Sequence, residues 1–360
     1  MARLIRVCLC VISFWLVHIV IDLVKPRNLC EKFIQYESLL DTCQLQYGYN
    51  GTIGRQFRPP FDFMTSLNLH RMKLANESYN AKDTDFTFVM AASRNHFEQS
   101  MDAVASIQEN FPDNRIVYFD WNLSKLQREQ MTKWCNVELR DFDMKLLPTY
   151  HEYAHKIPRY QSMKIQAVAL VLVETPYVIW ADASVRFLKS DLRPQIALAK
   201  QNGDLVFFTR TEIHSTFAVT DPNTYEFLPT DLSQQQRPIH VQSTSFMLIN
   251  TPEVFHNVIW WWLICSLDKS CIAPNENTHC FPNTAINNMT EYLGCHRCDQ
   301  SVVNVLVSNW FNFNQSRYFL SEVERPLIKI ERFKSMKLAV KQCEDQEFAS
   351  HPPDSYIGTR

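Results

Sequence analysis

Tyr177-Val178-Ile179-Trp180-Ala181-Asp182-Ala183-Ser184-Val185-Arg186-Phe187 is the stretch on which the fold turns. Its first five residues are apolar and rich in strand formers, and an acid closes the run. An apolar run of that length marks a strand covered on both faces, as in parallel sheets between helices. Upstream, the pattern predicts strands over 85–93 (DFTFVMAAS), 115–120 (RIVYFD) and 136–143 (NVELRDFD). Helical spacing falls between them, over 97–111, 124–135 and 160–174. Downstream come a helix over 194–203, strands over 204–209 (DLVFFT) and 241–250 (VQSTSFMLIN), and apolar helices over 252–267 and 299–310. Strands alternating with helices predict an α/β fold with a mostly parallel sheet flanked by helices. Ligands of such sheets lie outside the carboxyl ends of the strands, so the residues after 93, 120 and 182 carry the functional reading.

Asp182 closes its strand, and Ser184 stands two positions on. An extended chain returns side chains to one face every second residue, so the two could meet one ligand. A carboxylate at such a place can hold a divalent cation that neutralises a diphosphate; the plainer alternative is that Asp182 caps the following turn. Ser93, Arg94 and His96 follow the first strand and Asp120 ends the second. They could reach the base, ribose or phosphate of a nucleotide, or form a solvated loop. Lys164 and Arg186 could offset diphosphate charge, although Lys164 could equally snorkel from its helix. Asp299 opens the last apolar helix, where an ordinary N-cap would stand. Trp260-Trp261-Trp262 cannot share one helix face at about 100° per residue. Two of the three are expected in the core, rather than stacked on a sugar. His214 and His240 fall in a 210–240 stretch where an acceptor loop could sit.

The order FVMAAS, VYFD, WADAS, FMLIN, DQSVVNVL resembles the nucleotide-diphospho-sugar transferases of the GT-A type. More closely, WADASVRF, CSLDKSCIAP and CHRCDQSVVNVLVSN resemble a nematode-expanded family of uncharacterised type II membrane proteins with that presumed fold. The resemblance spans roughly 84–312 and implies sugar transfer from a nucleotide-diphosphate donor to a glycan or glycoprotein. It implies catalytic roles for Asp182 and Asp299, with Asp182 the carboxylate for Mn2+ or Mg2+. It places the donor against Ser93, Arg94, His96, Asp120, Lys164, Ser184 and Arg186, and the acceptor against Gln300, His240 and Ser245. The chain departs from the pattern twice. Ser184 stands where the second acid of an Asp-x-Asp is expected, so one metal carboxylate is missing. Ser243-Thr244-Ser245 replaces the glycine that usually precedes the later strand. A non-catalytic, glycan-binding or chaperone-like member of the fold is therefore a rival reading.

The rest of the 360-residue chain bears on where this domain works. Val7 to Val24 is an apolar run interrupted only by Ser13, His18 and Asp22. With Leu4 and Ile5 it is long enough to cross a bilayer. No A-x-A-like cleavage site follows, so a signal anchor is favoured over a cleaved signal peptide, and the unbroken run speaks against a buried first helix. Sequons at Asn50, Asn76, Asn122, Asn288 and Asn314, and nine of the 11 cysteines, lie downstream. That layout predicts a type II protein of the Golgi or endoplasmic reticulum lumen. The expected organisation is a tail at 1–6, a span at 7–24, a stem or wrap at 25–83, the α/β domain at 84–312 and an extension at 313–360. A net charge of −2 gives no basic field for a nucleic acid.

Cys295-His296-Arg297-Cys298 has the form of a redox pair before a helix, which makes a lumenal thiol oxidoreductase the third reading. His279 and Cys280 nearby permit zinc. Structural disulfides are preferred, with Cys30, Cys43, Cys135, Cys265, Cys271, Cys280, Cys295 and Cys343 as candidates. Nine lumenal cysteines leave one over, and the resemblance points to Cys298.

Overall fold

The computed structural model of the protein describes residues 45–57, 85–142, 162–280, 287–319, 326–332 and 338–343. The expected span at 7–24, Cys30, Cys43 and the Asn76 sequon lie outside the described residues. Among the described residues, no helix is long and apolar enough to cross a membrane.

In chain order the strands are β1 (Gly48–Tyr49), β2 (Thr52–Ile53), β3 (Phe86–Ala92), β4 (Ile116–Asp120), β5 (Val137–Asp141), β6 (Tyr177–Ala181), β7 (Val185–Phe187), β8 (Leu205–Phe207), β9 (Arg210–Ser215), β10 (Ile239–Val241), β11 (Ser245–Ile249) and β12 (Ile328–Ile330). Six of them form one sheet in the order β5-β4-β3-β6-β11-β8. The β3–β4, β3–β6 and β4–β5 pairs are parallel, whereas β11 runs antiparallel to both β6 and β8. Only β11 is reversed, so the sheet is mostly parallel, as the alternating pattern predicts.

The main helices are α1 (Phe97–Asn110), α2 (Lys125–Met131), α3 (Ser162–Leu172), α4 (Arg193–Asn202), α5 (Trp260–Ser266) and α6 (Asp299–Trp310). The period-2 pattern of the strands sorts their side chains onto two faces. Val89, Val117, Val178, Trp180 and Phe246 meet apolar residues of α3, α5 and α6 in one core cluster. Phe88, Met90, Tyr118, Ile179 and Met247 meet α1 and α4 in the other. The sheet is thus covered on both sides, which is why its strands read as unbroken apolar runs. A helix of π type (Phe255–Ile259) leads into α5, where Trp262 is buried and Trp260 and Trp261 are half-buried. One tryptophan of the three, not two, is fully in the core.

Flanking segments are fastened to this body. Tyr47 and Phe57 pack on Trp261, at 5.4 and 6.2 Å between ring centroids, beside the β1–β2 hairpin. Gly54 lies against the Phe227 carbonyl, where a Cβ would clash with backbone. Near the other terminus, β12 pairs with β7, and Cys343 is bonded to Cys135. Cys265–Cys271 and Cys280–Cys295 are the other disulfides among the described residues. Cys298 is buried and in no disulfide. Cys295 is therefore joined to Cys280, not to Cys298, which removes both the redox pair and the zinc reading.

Candidate functional site

Strand order reverses at β3: β4 and β5 extend the sheet to one side and β6 begins the other. A crevice at such a switch point, outside the carboxyl ends, is where open α/β sheets bind ligands. The carboxyl end of β3 leads into Ser93 and Arg94, and that of β6 into Asp182. Because β11 runs the other way, its amino end lies alongside, with Ser245 registered on Ala181 and the Thr244 carbonyl accepting from the Asp182 N–H at 2.8 Å.

Asp182 is the centre of the arrangement. Its carbonyl accepts from the Val185 N–H at 2.9 Å, so Asp182 to Val185 is a turn and not an extended run. The alternation that would set Asp182 and Ser184 on one face does not apply there. Nor does the Asp182 side chain cap this turn. Its Oδ1 accepts from Trp180 Nε1 at 2.6 Å and from Lys164 Nζ at 3.1 Å, and the side chain keeps 31% of its surface open. Trp180 precedes it by two residues in the strand and shares its face, as period 2 requires.

Lys164, on the first turn of α3, does not snorkel. It is buried, and its ammonium lies 3.1 Å from Asp182 and 3.3 Å from Asp299 Oδ2, donates to the Ser243 carbonyl at 2.7 Å, and sits 5.3 Å from the Trp180 ring centroid. Burial alone would lower its pKa; the carboxylates, Asp182 foremost, outweigh that and hold it above the usual lysine value. The two carboxylates thus favour the charged ammonium.

Asp299 is the first helical residue of α6, and the N-cap is Cys298, whose φ of 46° lies in the left-handed region. Asp299 does not cap the helix. It has no exposed surface; Oδ2 accepts from Ser243 Oγ at 2.9 Å, and Oδ1 has no hydrogen-bond partner among the described residues. Burial raises its pKa, and Lys164 and Ser243 offset that only in part. Asp299 thus lies closed off behind Lys164. Gln300, the next residue, is half-buried.

Other expected site residues are distributed differently. Arg94 and His96 are exposed and Ser93 half-buried, with Ser93 Oγ 3.1 Å from His96 Nδ1. Asp120 is engaged internally: it accepts from the Leu123 N–H at 2.6 Å and is paired with Arg128, which also holds Asp141 at 2.6 Å. Arg186 is buried, donates to the carbonyls of Ala183, Val185 and Gln99, and faces Asp102 and Glu331. It braces β7 against α1 and is not available to a diphosphate. Ser245 is buried, with its hydroxyl on the Trp180 carbonyl at 2.8 Å. His240 is buried with Nδ1 3.3 Å from Thr216 Oγ1, beside His214 at 5.3 Å between ring centroids. Burial pushes His240 well below the ordinary histidine value. Neither Ser245 nor His240 can meet an acceptor. Of the sequons, Asn50, Asn122 and Asn314 are exposed, and Asn288 is half-buried with Oδ1 enclosed.

Three members of the site are absent from the sequence-level set. Ser243 joins Lys164 to Asp299, and Trp180 orients Asp182. Strand periodicity could have found Trp180, which lies two residues before the acid. Ser243 stands in the Ser243-Thr244-Ser245 run that departs from the pattern, but nothing local marks it as the residue that meets Lys164. A third, Trp121, follows β4 and stacks on Trp180 at 6.3 Å.

The residues present do not fit a hard divalent cation. An ion such as Mg2+ demands octahedral oxygen geometry with one or two carboxylates open to it, the rest being water and phosphate. Here one carboxylate is partly open, its Oδ1 faces an ammonium, and the other carboxylate is closed off behind the same ammonium. Among the described residues, no three His, Cys, Asp or Glu side chains cluster so as to hold a metal.

Fold and site together define a mixed α/β protein with a polar crevice at the switch point of its sheet. Residues 33–165 match the family described as "Protein of unknown function (DUF1647)". No curated protein matches the sequence. Among solved structures, the galactosyltransferase LgtC in complex with donor and acceptor sugar analogs is similar at 12% identity and a TM-score of 0.38, over 69% of this chain and 87% of that one. Mouse xyloside xylosyltransferase 1 is similar at 10% identity and a TM-score of 0.36, over 66% and 85%. The core-mannan synthase A of Aspergillus fumigatus, in an Mn/GDP form, is similar at 9% identity and a TM-score of 0.36, over 73% and 82%.

Proposed function

We propose that this protein is a glycosyltransferase that binds a nucleotide-diphosphate sugar across the β3–β6 crevice and passes the sugar to a glycan or glycoprotein. The observation that carries the reading is the partly open Asp182 carboxylate at the switch point, held by Trp180 and the buried Lys164. A carboxylate fixed in that way accepts hydrogen bonds from sugar hydroxyls. Arg94, exposed at the end of β3, supplies positive charge for the diphosphate on the opposite lip. Catalysis would then rest on orientation of the anomeric carbon and on stabilising the departing nucleotide, with Gln300 beside the acceptor. The sequence resemblance, the apolar 7–24 run, the sequons and the disulfides support a membrane-anchored protein of the Golgi or endoplasmic reticulum lumen.

The test is a thermal-shift panel of nucleotide sugars on the purified full chain, followed by transfer assays with the donor that binds. One donor should stabilise the wild type, and Asp182→Ala should lose that stabilisation and reduce transfer at least about 100-fold, since it removes a positioned contact to the reacting sugar. Binding without transfer would favour a glycan-binding role for the same crevice. No binding across the panel would sink the donor reading.

A further inference from the structure

Two carboxylates, Asp182 and Asp299, converge on one point, and that point is filled by the protein's own cation. Lys164 Nζ lies 3.1 Å from Asp182 Oδ1 and 3.3 Å from Asp299 Oδ2 and donates to the Ser243 carbonyl at 2.7 Å. Ser243 Oγ lies 3.3 Å away as well, so the ammonium is enclosed by oxygen acceptors that outnumber its three N–H donors. A divalent ion bound between the same oxygens would lie within a few ångströms of a buried lysine, and no solvent would screen the repulsion. The residue two positions after Asp182 is a serine whose carbonyl is already taken by the Glu331 N–H at 2.8 Å.

We infer that Lys164 takes the place of a divalent cation in this crevice, and that Asp182 receives a sugar hydroxyl instead of a metal-bound diphosphate. A bare carboxylate repels a diphosphate, whereas it is a strong acceptor for a neutral polyol. The sugar moiety therefore lies against Asp182, and the phosphates lie towards Arg94 at the other lip. The second half of this assignment rests on the donor reading above. The first half concerns only the metal.

Manganese alone tests the metal half, by electron paramagnetic resonance titration of the full chain without any nucleotide. The wild type should bind no Mn2+ at micromolar levels. Lys164→Ala leaves the two carboxylates facing each other and should gain one Mn2+ site, which the double variant Lys164→Ala/Asp182→Asn should lose. Because Lys164→Ala can fail to fold on its own, its folded yield is also compared with and without Mn2+, and rescue by the ion counts as the same gain. A wild-type Mn2+ site abolished by Asp182→Asn would overturn the inference. So would a Lys164→Ala protein that folds and gains no site. For the sugar half, the thermal shift given by a bound donor should be unchanged by EDTA; a shift that EDTA abolishes and Mn2+ restores would overturn it. Failure of every donor to bind leaves the manganese arms intact, and so reflects on the functional reading and not on Lys164.

Discussion

Among the described residues, Arg186 and Lys164 are each buried between two carboxylates, and they do different work. Arg186 on β7 lies 3.5 Å from Asp102 and 3.8 Å from Glu331, and its stronger bonds, 2.8 to 3.0 Å, go to three backbone carbonyls. Lys164 on α3 lies closer to its carboxylates, at 3.1 and 3.3 Å. Burial dominates at Arg186 and lowers its pKa, whereas at Lys164 the carboxylates dominate and raise it. The first cluster ties the β7–β12 ribbon and α1 together through main-chain groups that no ligand can replace. The second stands at the switch point of the sheet and ends in a carboxylate that is 31% open. What separates a brace from a site is thus where the charge leads, since each sets one buried cation against two acids.

The sharpest way to break that contrast is to remove the brace. Arg186→Met removes the guanidinium that faces Asp102 and Glu331 and donates to three carbonyls, while Glu331 keeps its pair with Lys329. Deleting one partner of a buried ionic cluster costs about 3–5 kcal/mol. The variant should melt far below the wild type in denaturant or thermal unfolding. Whatever fraction stays folded should bind a donor sugar as the wild type does. Wild-type stability coupled to lost donor binding would reverse the roles assigned to the two clusters.

Acid sensitivity should come from buried histidines that lie outside both clusters, which makes pH a second discriminator. His296 Nδ1 accepts from the Asp221 N–H at 3.1 Å and Nε2 lies 3.1 Å from the Ile272 carbonyl, so the ring is neutral, with its proton on Nε2. Burial pushes both His296 and His214 down to about 4. A histidine depressed in the folded state stabilises the protein fully above its unfolded value, about 6.5. That contribution is lost as pH falls from there towards 4, because the unfolded chain takes up protons first. Each ring then costs about 3 kcal/mol across the window at most. Unfolding free energy measured between pH 7.5 and 4.5 should fall steeply. His296→Gln, which can keep both bonds without titrating, should reduce the slope by close to one proton. An unchanged slope would show that His296 is not among the groups that set the acid limb.

The contrast also marks how far the sequence could be read. The apolar runs give the sheet because a strand buried on both faces needs no alternation, and the helix over 299–310 is observed at those same bounds. Reading 241–250 as one strand fails because the chain breaks at Gln242 to Thr244, where the Gln242 N–H turns to the Thr209 carbonyl and the Thr244 carbonyl to the Asp182 N–H. No proline or glycine announces that break. Arg186 follows an apolar strand and Lys164 stands in an apolar helix, and nothing local tells which of them serves a site. Only the tertiary fold brings Asp299 to one and Asp102 and Glu331 to the other. Asp120 shows the same limit, since the Arg128 that engages it is one turn into the next helix.

The smallest expected effect sharpens the open end of the Lys164 cluster. Trp180 holds Asp182 by one hydrogen bond, Nε1 to Oδ1 at 2.6 Å, while its ring packs in the core and stacks with Trp121. Trp180→Phe removes the donor and retains most of the apolar surface. A hydrogen bond to a charged group contributes about 1.5–3 kcal/mol, and the ring change adds a small cavity term. Stability should therefore fall by only about 2 kcal/mol, within reach of denaturant titration. If Trp180 is an orienting group, transfer should fall mainly in kcat, because a misaligned Asp182 still has its Lys164 partner and still accepts a hydroxyl, but at the wrong angle. A rise in KM with kcat unchanged would mean that Asp182 only binds. No change in either, with the expected loss in stability, would make the Trp180–Asp182 bond structural, like the carbonyl contacts of Arg186.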